Sequence, residues 1–127
     1  MQDEDIISRQ IVIAAIEVHR TLGGPGLLES VYEEALAWEL EQQGLVTERQ
    51  KSVPIEYKSF LLNTPLRIDL IVQNLVIVEC KATSAYHPVY EAQLLTYLRL
   101  TKLKLGMVIN FGERLVKNGV KRVVNNL

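Results

Sequence analysis

Residues 66–82, LRIDLIVQNLVIVECKA, contain two apolar runs that carry Asp69, Glu79 and Lys81. Runs of this kind, rich in valine, isoleucine and leucine and separated by Gln-Asn, are typical of two adjacent β-strands. Successive side chains of a strand point to opposite faces of the sheet. Glu79 and Lys81 therefore share one face, and Cys80 lies on the other.

The pairing register of these two strands decides where Asp69 lies. A two-residue turn at Gln73 and Asn74 would place Asp69 opposite Val78, within an otherwise apolar face. A three-residue loop or a bulge places Asp69 opposite Glu79 instead. The reverse face is then wholly apolar and consists of Ile68, Leu70, Val72, Val76, Val78 and Cys80. The hydrophobic pattern favours this second register, which brings the three charged residues to one side of the sheet.

Such a group has a chemical use. Two carboxylates at a sheet edge can hold a hard divalent cation such as Mg²⁺ through oxygen ligands, with positions left for water and a phosphate oxygen. The ammonium of Lys81 can then orient the attacking water and offset charge that grows on a phosphate. The alternative is an ion pair of Lys81 with Asp69 or Glu79 on a solvated face, which antiparallel sheets commonly have. The spacing of these residues does not decide between a metal site and an ion pair.

Composition narrows the class of protein. The 127 residues, 48% hydrophobic and 23% charged, predict one domain, 1–127, with a core that needs no disulfide. No run approaches the roughly 20 apolar residues of a membrane-spanning helix. The acidic start, MQDEDIISRQ, and the single Cys80 predict a cytoplasmic protein. A net charge of −1 gives no global attraction for nucleic acid, so any such surface must be local.

Three stretches have helical spacing of apolar residues. The first is 6–22, which GGPG at 23–26 ends, and the second is 27–43, followed by Gly44 at a C-cap position. The third is 89–103.

The remaining segments contain short runs of residues that favour β-strands. From Val46 onward the short runs SVPIEYKSF, LRIDLIV and LVIVEC predict an antiparallel meander, and GMVINFG predicts a buried strand. VKNGVKRVV predicts a hairpin around Asn118 and Gly119, because Asn-Gly favours a two-residue β-turn. The order of elements predicts an α/β or α+β fold, with helices flanking a central mixed sheet.

The hairpin residues RIDLIV and VIVECKA resemble the metal-binding core of the PD-(D/E)XK nuclease superfamily, in which an aspartate is followed by Glu-x-Lys on the next strand. GLLESVY at 26–32 is Gly-x-x-Glu-x-x-Tyr, and the chain resembles the GxxExxY family of that superfamily from about His19 to Val124. The resemblance implies a restriction-endonuclease-like core and a Mg²⁺-dependent nuclease, with Mn²⁺ as a substitute and DNA as the expected substrate. The alternative is a catalytically silent module that binds nucleic acid or a protein partner; a homodimer is a further possibility.

The resemblance also implies roles for individual residues. Asp69 and Glu79 would be metal ligands, and Lys81 would act on the water. Glu29 would supply a further carboxylate from the preceding helix. Glu33, one turn later on the same helix face, could substitute for it.

Gln93 and Tyr97 form Gln-x-x-x-Tyr, similar to a motif that follows the catalytic lysine in exonuclease-like members of the superfamily. At i and i+4 both project from one helix face, from which they could contact metal-bound water or a nucleic-acid backbone. From the residues alone, Tyr32 and Tyr97 would instead be core residues with a solvated hydroxyl, and Gln93 a polar surface residue.

Lys117, Lys121 and Arg122 are candidates for phosphate contacts; the alternative is a solvated strand edge that discourages pairing. His19 and His87 lack partners at zinc-ligand spacing and are expected to be surface or capping residues, so no zinc site is expected.

Overall fold

A five-stranded mixed sheet forms the centre of the protein, for which a computed structural model describes residues 3–127. The strands within these described residues are β1 (Thr47–Val53), β2 (Glu56–Tyr57), β3 (Phe60–Leu61), β4 (Leu66–Val72), β5 (Val76–Lys81), β6 (Leu105–Asn110) and β7 (Val120–Val124). The spatial order of the main sheet is β1-β4-β5-β6-β7, and β2 and β3 form a separate two-stranded hairpin. Of the strand pairs in the described part of the chain, β5–β6 is parallel and the others are antiparallel.

Helices cover both faces of this sheet. They are α1 (Asp3–Thr21), α2 (Glu29–Gln42) and α3 (Val89–Thr101), close to the three predicted stretches. Helices α1 and α2 pack on one face, in a core that includes Val78 and Cys80, and α3 covers the other face through Leu94 and Leu98. The predicted fold class, helices flanking a mixed sheet, is confirmed.

Helix α3 is the crossover that makes the parallel pair possible, because two parallel strands cannot be joined by a tight turn. It lies directly on β6 at Gly106. A β-carbon on Gly106 would come within 2.8 Å of the Leu94 side chain, so glycine permits this close approach.

The pairing of β4 with β5 follows the predicted register. Ile71 pairs with Ile77 and Val72 with Val76, which leaves a three-residue loop that begins at Gln73. The predicted apolar face is found in the core under α1 and α2 for five of its six members, Leu70, Val72, Val76, Val78 and Cys80. Ile68 packs instead with the residues under α3, because the regular pairing of β4 is interrupted at Asp69 on both sides.

The stretch SVPIEYKSF is not one strand, as predicted, but the end of β1 and the start of a hairpin. Strand β1 ends at Val53, before Pro54, which has no N–H to donate to a sheet ladder. Strands β2 and β3 then pair with each other before the chain returns to β4. The antiparallel arrangement of β1, β4 and β5 agrees with the predicted meander.

The predicted hairpin around Asn118 and Gly119 is wrong. Residues Val116–Gly119 form a 3₁₀ turn, and β7 pairs with β6. Neither Asn118 nor Gly119 has the positive φ that a type I′ turn needs. The turn instead buries Val116 against the core under α1, and Gly119 passes so close to the Asn110 carbonyl that a β-carbon would meet it at 2.5 Å.

Candidate active site

Asp69 and Glu79 lie side by side where the regular pairing of β4 with β5 ends. The last backbone pair in this direction is Leu70 with Val78. Beyond it, the Asp69 backbone N–H donates to Glu79 Oε2 at 2.9 Å, and the Cys80 N–H donates to Asp69 Oδ2 at 2.9 Å. Each carboxylate is thus held by the backbone of the neighbouring strand. The structure brings together the two carboxylates that the sequence pattern predicted to converge.

Gln50 joins this pair to helix α2. It interrupts β1 with a φ of 50°, and its side-chain amide donates to Asp69 Oδ1 at 3.3 Å and to Glu33 Oε1 at 2.8 Å. This backbone kink departs from regular strand geometry and directs the amide toward the carboxylates. Sequence reasoning missed Gln50, because nothing in its neighbours marks it as a polar bridge.

Glu33 and Glu29 differ in their surroundings. Glu33 is buried and forms an ion pair with Arg49, Nη2 to Oε2, at 3.2 Å, in addition to its bond with Gln50. Glu29, the first residue of α2, is exposed. Its pKa is raised by desolvation, lowered by the charge of Lys81 and raised further by Asp69 and Glu33. The charges of the site therefore influence the pKa of Glu29, while its carboxylate remains accessible.

Tyr32 fixes the loop that precedes Glu29. Its ring is fully buried and stacks on Phe111 with centroids 4.7 Å apart. Its hydroxyl donates to the Gly24 carbonyl at 2.7 Å and accepts from the Leu27 N–H at 3.1 Å. Tyr32 is thus the core residue expected from the residues alone, but its hydroxyl binds backbone. This gives the Gly-x-x-Glu-x-x-Tyr motif a physical purpose, since the tyrosine holds the start of the helix that carries the glutamate.

Glu79 is the most perturbed carboxyl of the site. Its side chain is largely buried, and burial, followed by the charge of Asp69, raises its pKa to about 8. Oε2 accepts the bond from the Asp69 backbone, whereas Oε1 accepts no hydrogen bond from the described residues. An ionised Glu79 beside Asp69 is therefore costly unless a positive charge approaches the pair.

Lys81 contacts an aromatic ring and no carboxylate. Its Nζ lies 4.7 Å from the centroid of Tyr90, on α3, and it forms no ion pair with any residue in the range 3–127. The ion pair considered as the alternative from the sequence is therefore not formed. Tyr90 is supported in turn by the edge of Tyr86, with centroids 5.2 Å apart. The ring holds the ammonium by a cation–π interaction and leaves its hydrogen-bond donors free.

The chain beyond Lys81 is clamped by Asn110. This buried side chain accepts from the Thr83 and Gly112 N–H groups at 3.0 Å, and its amide donates to the Thr83 carbonyl at 3.0 Å. A β-carbon on Gly112 would lie 2.3 Å from the Thr83 carbonyl oxygen, so glycine is required for this contact. The ends of β5 and β6 are thereby fixed beside the site.

Helix α3 presents a polar stripe toward the site. Burial raises the pKa of Tyr97, and the charges of Glu79 and Asp69 raise it further. Gln93 is exposed and makes no hydrogen bond with the described residues. Because it is three residues after Tyr90 and four before Tyr97, it lies on the same helix face as both. Tyr90 could have been found from this spacing.

The three predicted phosphate-binding residues do not form one cluster. Lys121 pairs with Val108, which pairs with Glu79, so Lys121 lies on the same sheet face as Glu79, two strands or about 10 Å away. Arg122 is on the opposite face and forms an ion pair with Asp5 of α1. Lys117 belongs to the 3₁₀ turn.

Lys117 instead lines a groove of about 320 Å³ together with Arg20 and Arg114. The groove lies between the end of α1, the Gly23–Gly24 backbone and the 3₁₀ turn. Arg20 also pairs with Glu17 at 2.5 Å. Sequence reasoning missed Arg20 and Arg114 as members of this group, because the two residues are far apart in the chain.

The remaining sequence candidates have structural roles. His19, predicted at the surface or at a cap, is buried, and its Nε2 donates to the Phe111 carbonyl at 3.1 Å. That prediction is wrong because the histidine closes the packing around Phe111. His87 is exposed, and its Nδ1 accepts from the Val89 N–H at 3.0 Å at the start of α3, as expected for a cap. Cys80 is fully buried in the core, also as predicted.

No group of three or more His, Cys, Asp or Glu side chains within residues 3–127 is arranged to hold a metal ion. Mg²⁺, however, usually keeps several waters and is bound through one or two carboxylates together with phosphate oxygens. Asp69 and Glu79 fit this mode, since they are hard oxygen donors fixed side by side. A divalent cation would also offset the cost of ionising Glu79 next to Asp69.

Comparison with known proteins adds an independent observation. A family model described as the PD-(D/E)XK nuclease superfamily matches residues 5–123, almost the whole chain. Searches of curated proteins and of solved structures found no match. In the part of the chain that the structure describes, no helix is long and apolar enough to cross a lipid bilayer.

Proposed function

Because the chain belongs to the PD-(D/E)XK nuclease superfamily, we propose that it is a Mg²⁺-dependent nuclease that hydrolyses phosphodiester bonds, with DNA as its substrate. The observation that carries the proposal is the reciprocal pair of hydrogen bonds that holds Asp69 beside Glu79. Lys81 follows two residues later on the same strand and face. The order of these residues matches that of the superfamily's metal-binding core.

In this proposal Asp69 and Glu79 hold Mg²⁺, and Mn²⁺ can substitute. When bound, the ion supplies positive charge to the phosphate that is attacked. Glu79 must release its proton before it binds a cation, because its pKa is raised to about 8. Glu29 supplies the further carboxylate, since its side chain is accessible. Glu33 is committed to Arg49 and Gln50 and acts as a positioning residue.

Lys81 orients the attacking water and offsets negative charge on the phosphate in the transition state. The Tyr90 ring supports this role by holding the ammonium without taking up its donors. Gln93 and Tyr97 line the adjacent face of α3, where they contact water or the backbone of the bound strand.

Substrate grip comes from basic residues outside the carboxylate site. Lys117, Arg20 and Arg114 surround one groove and contact phosphates there. Lys121 contacts phosphate on the face that carries Glu79, and Arg122, held by Asp5, contributes less. The buried free thiol of Cys80 is compatible with a cytoplasmic setting. Membership in the GxxExxY branch is supported by the role of Tyr32 at the start of α2.

The test is cleavage of plasmid and labelled linear DNA with Mg²⁺, with Mn²⁺ or with chelator alone. Asp69→Ala and Lys81→Ala proteins, purified in parallel, should lose activity that depends on the metal. Glu41→Gln, an exposed carboxylate change on α2, is the matched control and should retain activity. Equal activity of wild-type and Asp69→Ala proteins would reject the assignment and reveal a contaminating nuclease.

A second candidate function is a silent nuclease-fold module that binds nucleic acid or a protein partner. The observation that favours it is the lack, within residues 3–127, of a group of three arranged metal ligands. Calorimetric titration with Mn²⁺ discriminates the two functions. If the protein is a nuclease, the wild type should bind Mn²⁺ and the Asp69→Asn/Glu79→Gln variant should not. A silent module should bind no Mn²⁺ in either form. Light scattering in the same buffer tests for a homodimer.

A further inference from the structure

The hairpin of β2 and β3, here called the aromatic hairpin and comprising Glu56–Leu61, presents two aromatic rings at its tip. Tyr57 pairs directly with Phe60. Lys58 and Ser59 between them both have positive φ, 49° and 67°, as the central residues of a type I′ turn do. Side chains of directly paired residues point to the same face of a β-ribbon. The two rings therefore lie next to each other on one face of the tip.

Both rings are open to solvent. Tyr57 is 59% exposed and Phe60 is 66% exposed. Lys58 lies above the Tyr57 ring, with its Nζ 5.4 Å from the centroid. A pair of exposed aromatic rings with a cation beside them is a costly arrangement for a surface turn, and it is the combination found where proteins bind unpaired nucleic-acid bases.

The aromatic hairpin leaves the sheet on the side of the carboxylates. Strand β1 ends at Val53, which pairs with Leu66 at the start of β4. Because β4 is antiparallel to β5, this end of β4 is the end at which β5 finishes with Lys81. Asp69 is three residues from Leu66, about 10 Å along an extended strand.

The base of the hairpin is anchored under α3. Ile55 and Val53 pack with the residues beneath that helix, and the Leu62 N–H donates to the Ile55 carbonyl at 2.9 Å. Tyr90 and Tyr97 pack against the same group of core residues. The hairpin is therefore rooted beside the polar face of α3, at the end of the sheet where the carboxylates lie.

We propose that Tyr57 and Phe60 stack on unpaired bases of a single-stranded nucleic-acid segment and hold that segment at the entrance to the Asp69–Glu79 site. This inference rests on the proposed function, whose substrate class it narrows. In a duplex the faces of the bases are covered by their neighbours, whereas a single strand offers them to aromatic side chains. Lys58, at the same tip, is placed to contact the phosphate between two stacked bases.

The test is fluorescence anisotropy with a labelled single-stranded DNA oligonucleotide and with the matching duplex, both in chelator so that neither is cut. Wild-type protein should bind the single strand more tightly. Because each ring would stack on one base, Tyr57→Ala/Phe60→Ala should weaken single-strand binding by at least about tenfold. Tyr57→Phe/Phe60→Tyr, which keeps both rings, should bind like wild type. Leu61→Ala is the matched control, because Leu61 is 62% exposed but points to the other face of the ribbon.

The outcomes separate this inference from the proposed function. If the double alanine variant binds the single strand as tightly as wild type, or if wild type binds neither oligonucleotide, the inference is overturned. The metal-dependent cleavage assay decides the nuclease function independently in either case. Light scattering tests whether the aromatic hairpin binds a second copy of the chain instead. If wild type is a dimer and the double alanine variant is a monomer, the hairpin is a self-association surface and the inference is overturned.

Discussion

Asp69 and Glu79 hold each other in place through the backbone of the opposite strand: Glu79 Oε2 accepts from the Asp69 N–H, and Asp69 Oδ2 accepts from the Cys80 N–H, both at 2.9 Å. These bonds replace the regular backbone pairing beyond Leu70 and Val78. The sheet therefore opens at the two carboxylates, the position that the proposed nuclease would use for a cation and a phosphate. Neither side chain can move without loss of a strand contact.

Lys81→Met should separate the role of the ammonium from metal binding. The variant removes the positive charge but keeps an aliphatic side chain against Tyr90. We expect cleavage to fall by about 10²–10⁴-fold, the usual contribution of a positioned proton-transfer group. Calorimetric affinity for Mn²⁺ should change little, because the two carboxylates remain. A large loss of Mn²⁺ affinity would contradict the assigned role.

Glu79→Gln should stabilise the protein at neutral and alkaline pH. The pKa of Glu79 is raised from 4.5 to about 8, so between these values the unfolded chain has released a proton that the folded protein retains. Stability of the wild type therefore falls as pH rises through this range. At about 1.4 kcal/mol per pKa unit, the variant should gain several kcal/mol at pH 8 and nothing below pH 4.5.

The measurement for Glu79→Gln is urea unfolding between pH 4 and 9 in chelator. Glu41→Gln, exposed on α2, is the control and should follow the wild-type curve. A difference that grows toward acidic pH would have the wrong sign for a carboxyl with a raised pKa.

Tyr32→Phe should destabilise the start of α2. The variant keeps the stack on Phe111 but leaves the Gly24 carbonyl and the Leu27 N–H without the tyrosine hydroxyl. Loss of these partly buried bonds should lower the free energy of unfolding by about 1–3 kcal/mol. Cleavage should fall as well, because the loop that positions Glu29 is released. Glu41→Gln, an exposed change on α2 with no role in the site, is the control for both measurements.

Tyr90→Leu should disturb the position of the Lys81 ammonium and leave Asp69 and Glu79 unchanged. Removal of the ring beneath the ammonium forfeits a cation–π contact worth about 0.5–1 kcal/mol, or roughly two- to fivefold in cleavage rate. Tyr90→Phe retains the ring and should be near wild type. If both variants lose activity equally, the tyrosine hydroxyl and not the ring face is the important group.

Arg114→Gln and Lys117→Gln should each weaken DNA binding without regard to sequence. Each should also reduce the slope of log affinity against log salt by about one, as expected for the loss of a phosphate contact. Anisotropy in chelator at several salt concentrations provides the measurement. Lys104→Gln, at the opposite end of β6 from the site, is the control and should leave the slope unchanged. Unchanged slopes for both Arg114→Gln and Lys117→Gln would exclude the groove as a phosphate contact.

Local patterns explain what could be predicted. The alternation of apolar residues in 66–82 allowed one register with a wholly apolar reverse face, and the pairing of Ile71 with Ile77 agrees with it. The predicted Asn118–Gly119 hairpin is wrong because a contact outside the local pattern decides the conformation. The chain forms a 3₁₀ turn that buries Val116, although Asn-Gly favours a hairpin turn. A turn preference is worth less than a buried apolar side chain, so packing overrides it.

The sequence by itself determined the three helices, the strand register and the convergence of Asp69 with Glu79, because each depends on a repeating pattern within a short stretch. Only the tertiary structure decided that Gln50 bridges Asp69 to Glu33 and that Lys81 lies over Tyr90. Those contacts join separate elements of the chain. They depend on a kinked backbone and on how α2 and α3 pack against the sheet, neither of which leaves a periodic signal in the residues themselves.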